Sequence, residues 1–253
     1  MDSGSMVKKT KSFIRKYVWD LLEKNNIVLF PRPVYHRIPN FVGADKAATM
    51  LASLDVFRNA KVVKVNPDAP QKHVRYLALA QNKIVVMPTP RIRSGFVVLD
   101  PSRIPRDKLH EASTIAGAYR YGVVTKPWNL PRIDLIVIGS VAVNVKGARL
   151  GKGEGYAELE YGILRTVCKI SENTPIATTV HDLQVIEMDI PVEPFDLGVD
   201  IIVTPTRIIR VVPRPLKPSG VLWDLLPEHK LREIPILNEL RRFLRNEKNI
   251  SCA

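Results

Sequence analysis

The chain has 253 residues, of which 45% are hydrophobic and 25% are charged, a composition typical of a soluble globular protein. No apolar run approaches the ~18 residues that a membrane span needs, so the sequence predicts no membrane partner. The formal net charge of +13 indicates anionic partners, either nucleic acid or small polyanionic substrates such as nucleotides.

The first residues and the cysteines bear on processing and compartment. Residues 1–5 precede a second methionine, Met6, and resemble an expression scar, so they are left out of the fold prediction. The N-terminus lacks the apolar region of a signal peptide, and Cys168 and Cys252 are far apart in the sequence. We therefore expect a cytoplasmic protein without a disulfide framework.

Helical and strand patterns alternate along the chain. Apolar spacing predicts helices over 11–23, 44–54, about 68–80 and 156–170. The proline-rich segment 30–41 is incompatible with regular structure. Short apolar runs predict strands over 61–65, 83–87, 135–138, 176–179 and 201–203, with 208–212 as an edge partner of the last.

This alternation predicts an α/β fold, a three-layer Rossmann-like sandwich with a mostly parallel central sheet. We assign the sandwich to residues 6–215 and expect 216–253 to be a helical C-terminal extension packed on the core. The segment 234–244 is amphipathic, with arginines on its outer side. That basic face is either solvated or a contact for RNA or a second subunit.

A glycine-rich loop follows the strand predicted at 135–138. It reads Arg149-Leu150-Gly151-Lys152-Gly153-Glu154-Gly155-Tyr156. Three glycines in five residues let a ligand approach the backbone N–H groups, and the start of the next helix favours negative charge. The loop is therefore a candidate phosphate site. Its spacing matches neither the P-loop nor the dinucleotide fingerprint, and a plain tight turn is the alternative.

Three features carry a family likeness. They are this loop, the run Ile133-Asp134-Leu135-Ile136-Val137 before it, and Lys11 and Arg15 on one helical face. Together they resemble the 5-formyltetrahydrofolate cyclo-ligase family, also called methenyltetrahydrofolate synthetases. The likeness is stronger to the branch of methenyltetrahydrofolate synthetase domain-containing proteins. Phe30-Pro31-Arg32-Pro33 and Pro88-Thr89-Pro90-Arg91 are similar to that branch's own signatures.

The resemblance implies an ATP- and Mg²⁺-dependent ligase that closes 5-formyltetrahydrofolate to 5,10-methenyltetrahydrofolate, with release of ADP and phosphate. It implies that Arg149 and Lys152 act in catalysis by neutralising charge on the transferred phosphoryl group. The ATP-binding residues would be Lys11, Arg15, Arg149, Gly151, Lys152, Gly153, Glu154, Gly155 and Tyr156.

For the folate and the metal, the resemblance gives four further candidates. Trp128 and Gln184 would contact the folate, although a buried tryptophan more often serves packing. Glu158 and Asp200 are the candidate Mg²⁺ ligands, because Mg²⁺ prefers carboxylate oxygens together with phosphate and water. Glu158 alternatively stabilises the first turn of its helix.

The sequence also departs from the family pattern. Where the family has Gly-Tyr-Tyr-Asp-Arg, this chain has Gly155-Tyr156-Ala157-Glu158-Leu159, and Phe195 replaces a histidine. Loss of an arginine near a phosphoryl group predicts weak or altered activity. The alternative is a non-catalytic nucleotide- or RNA-binding protein on the same scaffold. We expect small-molecule substrates as partners and a monomer or weak dimer.

Overall fold

The computed structural model describes residues 3–246. The helices are α1 (Ser3–Lys24), α2 (Ala44–Ala52), α3 (Asp55–Arg58), α4 (Lys72–Ala80), α5 (Leu109–Ala112), α6 (Ile115–Tyr121), α7 (Tyr156–Thr166), α8 (Glu228–Glu233) and α9 (Pro235–Asn246). The strands are β1 (Val62–Val65), β2 (Ile84–Pro88), β3 (Phe96–Leu99), β4 (Val123–Thr125), β5 (Leu135–Ile138), β6 (Ala142–Val143), β7 (Arg149–Leu150), β8 (Ile176–Thr179), β9 (Ile201–Val203) and β10 (Ile208–Arg210).

Eight strands form one sheet in the order β10-β9-β8-β5-β1-β2-β3-β4. The pairings from β9 through β8, β5 and β1 to β2 are parallel, and those of β10, β3 and β4 are antiparallel. The predicted α/β fold with a mostly parallel sheet is confirmed. The strands β3 and β4 were not predicted. Val123 and Val124 of β4 are exposed because this strand closes one edge of the sheet.

Side chains that alternate along the central strands separate two cores. Val63 and Val65 of β1 join a cluster with α2 and α4, whereas Val62 joins a cluster with α7 and α9 on the other face. Because successive residues of a strand point to opposite faces, both faces of the sheet are covered by helices. The three layers follow from this alternation.

A third apolar cluster fixes α1 beside the hairpin of β6 and β7. Ile14, Val18 and Leu22 of α1 are buried in it together with Val141 and Leu150. Lys11 and Arg15 lie on the same side of the helix as Val18 and Leu22, nearer its N-terminus, and Lys11 is buried. Since β7 leads directly into the glycine loop, this packing places α1 next to the loop.

The part of the chain after the sandwich lies against α7 and the core. Ile234, Ile236, Leu237 and Leu240 are fully buried in the cluster that includes α7. None of the helices in residues 3–246 is both long enough and apolar enough to cross a membrane.

One expectation from the cysteines was wrong. Cys168 is disulfide-bonded, although no disulfide was expected from the sequence. Spacing along the chain does not determine which sulfur atoms meet in the fold. Cys252 lies outside the described residues, as do Met1 and Asp2 of the predicted expression scar and 247–253 of the predicted extension.

Candidate active site

A cavity of about 1160 Å³ lies at the carboxyl ends of the central strands. Its walls are the glycine loop, the N-terminal half of α1 with Lys11 and Arg15, and the segments that follow β1 and β2. Residues 193–196 complete the rim. Parallel α/β sheets bind ligands at this edge, because the loops that leave neighbouring strands converge there.

The glycine loop turns sharply between β7 and α7. Gly153 and Gly155 have φ values of 104° and 73°, in the left-handed region that glycine adopts without a steric cost. Gly155 is the N-cap of α7 and makes no side-chain cap. A Cβ at Gly155 would meet no atom within 4 Å, so the space beside it is open.

The backbone amides of this loop are unpaired. Within residues 3–246, no hydrogen-bond acceptor is recorded for the N–H groups of residues 152–158. A helix leaves its first N–H groups without intrahelical partners, and its dipole adds partial positive charge at the same end. The loop and the first turn of α7 therefore form an anion-binding surface.

Two cations lie on this surface. The Nε of Arg15 donates to the carbonyl oxygen of Gly151 at 2.7 Å, and the pKa of Arg15 is lowered by burial. Its guanidinium carbon is 3.4 Å from the position of a Cβ on Gly153. Lys152 makes a 2.9 Å ion pair with Glu154, and both side chains are exposed. An exposed pair of this kind contributes little stability, so Lys152 is available to an anionic ligand.

Lys11 lines the cavity but already has anionic partners. Its Nζ lies 2.7 Å from Glu193 Oε2 and 2.5 Å from Asp196 Oδ2, and its side chain is buried. It also lies 5.7 Å from the centre of the Phe195 ring, the residue that departs from the family pattern. These contacts join α1 to the rim of the cavity.

Arg149 is buried beneath the loop. It donates to the carbonyl oxygens of Leu197 and Gly139, at 3.1 Å and 2.8 Å, and pairs with Glu158. These partners occupy its guanidinium, so Arg149 has the geometry of a brace and not of a free cation. Glu158, predicted as a metal ligand, lines the cavity while holding this brace.

Other carboxylates lie on the cavity floor. Asp68 follows β1; burial raises the pKa of its carboxyl, and no donor within the described residues hydrogen-bonds to it. Glu160 forms a buried ion pair with Lys64, whose Nζ also donates to Asn66 Oδ1 at 2.6 Å. Across residues 3–246, no group of three or more His, Cys, Asp and Glu could hold a metal ion.

The fold does not bring Asp200 to the cavity. Its carboxylate accepts hydrogen bonds from Arg214, from Lys217 at 2.7 Å and from the N–H of Ile176. Burial acts to raise the pKa of Asp200, but these hydrogen bonds outweigh it and lower that pKa. This carboxylate is a structural node, and the prediction of a metal ligand here does not fit the fold.

The two predicted folate contacts also lie away from the cavity. The ring of Trp128 stacks on Phe243 of α9, with centroids 4.8 Å apart. Gln184 is fully buried, and its Nε2 donates to the carbonyl oxygens of Ser140 and Val141 at 2.9 Å and 3.1 Å. Trp128 serves packing, and the polar groups of the buried Gln184 are satisfied within the protein.

Several cavity residues were missed by the sequence analysis. Asp68 was assigned only to a helix start, yet its place after β1 was a signal for the ligand-binding edge. Arg91 follows β2, lines the cavity and has a left-handed φ of 53°. His73 and Tyr119 complete the wall and carry no sequence signal.

With the geometry established, comparisons identify the chain's relatives. The chain matches the 5-formyltetrahydrofolate cyclo-ligase family over residues 7–205. It is 44% identical over 237 residues to the methenyltetrahydrofolate synthase domain-containing protein of Bos taurus, and 43% identical over 237 residues to that of Homo sapiens. Each alignment covers 92% of this chain but 62% and 61% of the relatives, so the chain spans about three fifths of their length.

A solved structure supports the fold. The NMR structure of Aquifex aeolicus 5,10-methenyltetrahydrofolate synthetase is similar, with a TM-score of 0.52 and 19% identity, over 84% of this chain and 98% of that chain. At that identity the likeness shows the fold alone. The resemblance drawn from the glycine loop is confirmed by the sequence matches, and the chain belongs to the 5-formyltetrahydrofolate cyclo-ligase family.

Proposed function

We propose that this chain binds ATP at the glycine loop and converts 5-formyltetrahydrofolate to 5,10-methenyltetrahydrofolate, releasing ADP and phosphate. One observation carries the proposal: among the residues that the structure describes, the N–H groups of 152–158 have no hydrogen-bond acceptor, and these residues line a large cavity. A row of free amides at a helix N-terminus suits the β- and γ-phosphates of a nucleotide.

The protein's task in this reaction is to position two substrates and to neutralise charge on the transferred phosphoryl group. The amides of Gly153 and Gly155 would hold phosphate oxygens, with Arg15 above the loop and Lys152 turning from Glu154 to the phosphate. Lys11 would act indirectly, by holding the rim through Glu193. Tyr156, at the first position of α7, would lie beside the nucleotide.

Mg²⁺ would be shared between a protein carboxylate and the phosphates. Mg²⁺ keeps several waters and takes one or two carboxylates together with phosphate oxygens, so it needs no all-protein cage. Glu158 remains the proposed carboxylate, and Asp200 leaves the proposal. Bound Mg²⁺ would supply additional charge neutralisation at the phosphates.

The folate would occupy the part of the cavity beyond the loop. Ile38, Met87 and Tyr119 give that part an apolar and aromatic wall, and Asp68 provides one polar group on the floor. Pterin rings need this combination of a flat apolar contact and a hydrogen-bonding edge. These residues replace Trp128 and Gln184 as the proposed folate contacts.

We further propose that the activity is weak or altered. The arginine of the family pattern is replaced by Leu159, and Arg149 is held in place beneath the loop by its bonds to Leu197, Gly139 and Glu158. Loss of one cation at a phosphoryl site commonly costs orders of magnitude in rate. The setting we propose is cytoplasmic, with small-molecule substrates and a monomeric or weakly dimeric protein.

Calorimetric titration with Mg-ATP, followed by 5-formyltetrahydrofolate, tests the proposal. We expect both to bind, and absorbance of the methenyl product to rise slowly. Lys152→Ala should raise the Kd for Mg-ATP about tenfold, whereas the matched control Lys146→Ala, which removes an exposed pair with Asp189, should not. Full turnover in Lys152→Ala would remove that residue from the site.

The same titration separates the alternative of a non-catalytic RNA- or nucleotide-binding protein. That alternative predicts that 5-formyltetrahydrofolate does not bind. RNA affinity would fall steeply with salt, because binding releases counterions, whereas ATP held by amides and Mg²⁺ would respond less.

A further inference from the structure

The segment after the family match lies along α7, the helix that begins at the glycine loop. The N–H of Val221 donates to Thr166 Oγ1 at 3.0 Å, in the last turn of α7. A Cβ at Gly162 would lie 3.0 Å from the carbonyl oxygen of Gly220, a tighter contact than most Cβ atoms make, so glycine favours this close approach. Residues 220–221 therefore contact the C-terminal half of the helix.

The same segment then reaches the other end of α7. The Nζ of Lys230, in α8, lies 4.1 Å from the centre of the Tyr156 ring. Tyr156 is the first residue of α7, follows Gly155 directly and lines the cavity. Lys230 is mostly buried, and its recorded carboxylate partner, Glu233, is 3.7 Å away.

The contact between Lys230 and Tyr156 lies at the first turn of α7, where the sequence departs from the family pattern. Tyr156, Ala157 and Leu159 pack against the same apolar cluster as Leu226 and Leu231 of the C-terminal segment. A small and an apolar residue thus stand where the family has a tyrosine and an arginine. Those replacements create an apolar face on the first turn of α7, and the C-terminal segment packs on the same cluster.

We propose that Lys230 is a positioning residue for the nucleotide site: by its cation–π contact with Tyr156 it fixes the first turn of α7 and the amides of residues 152–158. The inference rests on the proposed function for the ligand, and on this structure for the contact. Lys230 lies outside the matched range 7–205, so the C-terminal segment contributes to the site of the sandwich.

Two variants isolate the contact. Lys230→Met removes the charge and keeps an unbranched apolar stem, and Lys230→Arg keeps the cation–π interaction. Arg241→Met is the matched control, since Arg241 lies 4.6 Å from the centre of the Trp223 ring within the same segment and away from Tyr156. Urea unfolding of each variant records any general loss of stability.

Hydrogen exchange of the ligand-free protein is the first readout. We expect Lys230→Met to speed amide exchange in residues 152–158 about threefold to tenfold, and Lys230→Arg and Arg241→Met to leave it unchanged. Equal exchange in Lys230→Met and the wild type overturns the inference, as does an equal increase in Arg241→Met.

Calorimetric titration with Mg-ATP is the second readout. We expect Lys230→Met to raise the Kd about threefold to tenfold, and to add nothing when Tyr156 is already replaced by leucine. An unchanged Kd in Lys230→Met contradicts the inference. If the wild type itself does not bind Mg-ATP, the proposed function fails, and hydrogen exchange still decides the positioning of the amides.

Discussion

Asp68 follows strand β1 and Asp200 precedes strand β9 of the same sheet, yet the two carboxylates have opposite environments. Asp68, after β1, faces the cavity without a hydrogen-bond donor in the described residues, and burial raises its pKa. Asp200, before β9, accepts hydrogen bonds from Arg214, Lys217 and a backbone N–H, and its pKa is lowered.

The difference separates a site from a structural node. Where both oxygens of a carboxylate accept hydrogen bonds within the protein, as at Asp200, the charges stabilise the fold. The Asp68 carboxylate and the amides of residues 152–158 lack hydrogen-bond partners in the described residues. Such groups are less stable than paired ones, and a ligand that bonds to them gains that free energy on binding. The sequence alone does not show whether a charged residue belongs to a ligand site or to a structural node.

The largest expected effect is a loss of stability when Asp200, the structural node, is replaced. Asp200→Asn should lower the free energy of unfolding by about 3 kcal/mol, because it leaves the buried ammonium of Lys217 without its carboxylate. Urea unfolding measures this loss. The exposed control Asp189→Asn should leave the free energy of unfolding nearly unchanged.

The comparison also predicts what Asp200→Asn leaves intact. Under native conditions the folded variant should bind Mg-ATP with the wild-type Kd, since Asp200 lies away from the cavity. Loss of nucleotide affinity with unchanged stability would return Asp200 to the site and erase the distinction between the two aspartates.

The second effect concerns the unpaired amides. Gly155→Ala should weaken Mg-ATP binding at least tenfold, because the new Cβ projects into the open space beside the amides. The left-handed φ of 73° should also cost about 1 kcal/mol of stability. Titration calorimetry and urea unfolding record the two quantities separately.

Asparagine at the same position sharpens this test. Asn tolerates left-handed backbone better than alanine does, so Gly155→Asn should recover much of the stability and none of the affinity. If affinity returns with stability, the loop is only a tight turn, which was the alternative that the sequence left open.

The sequence was sufficient for the sheet centre and the loop. Central parallel strands such as β5 are buried on both faces and are therefore continuous apolar runs, and glycine spacing marks a loop that approaches a ligand. The edge strand β4 was missed because its exposed Val123 and Val124 belong to no recognisable pattern of burial.

The predicted site residues that lie away from the cavity have partners distant in sequence. Trp128 stacks on Phe243, which belongs to α9, and Asp200 is neutralised by Arg214 and Lys217. No local pattern records such partners. Pairing across the fold, and not residue type, decided that these side chains are structural.

The smallest expected effect is at Asp68 and has the opposite sign to that at Asp200. Asp68→Asn should raise the free energy of unfolding at pH 7 by about 1 kcal/mol, because burial opposes ionisation of this carboxyl and the amide has no charge to bury. It should also weaken binding of 5-formyltetrahydrofolate, since the cavity floor loses its carboxylate. Urea unfolding and calorimetry measure the two changes.

The pH dependence gives the sign of each aspartate's contribution. A raised pKa means that the folded protein binds the Asp68 proton more tightly, so this contribution to stability is complete below the ordinary value of 3.8 and is lost as pH rises through the folded pKa. The advantage of Asp68→Asn over wild type should therefore vanish in acid.

The pKa of Asp200 is lowered, so its contribution to the free energy of unfolding is present above 3.8 and is lost as pH falls through the folded pKa. Asp200→Asn should thus also converge on wild type in acid, but from below. Two variants that approach the wild-type curve from the same side would contradict the assignment of one aspartate to the site and the other to the fold.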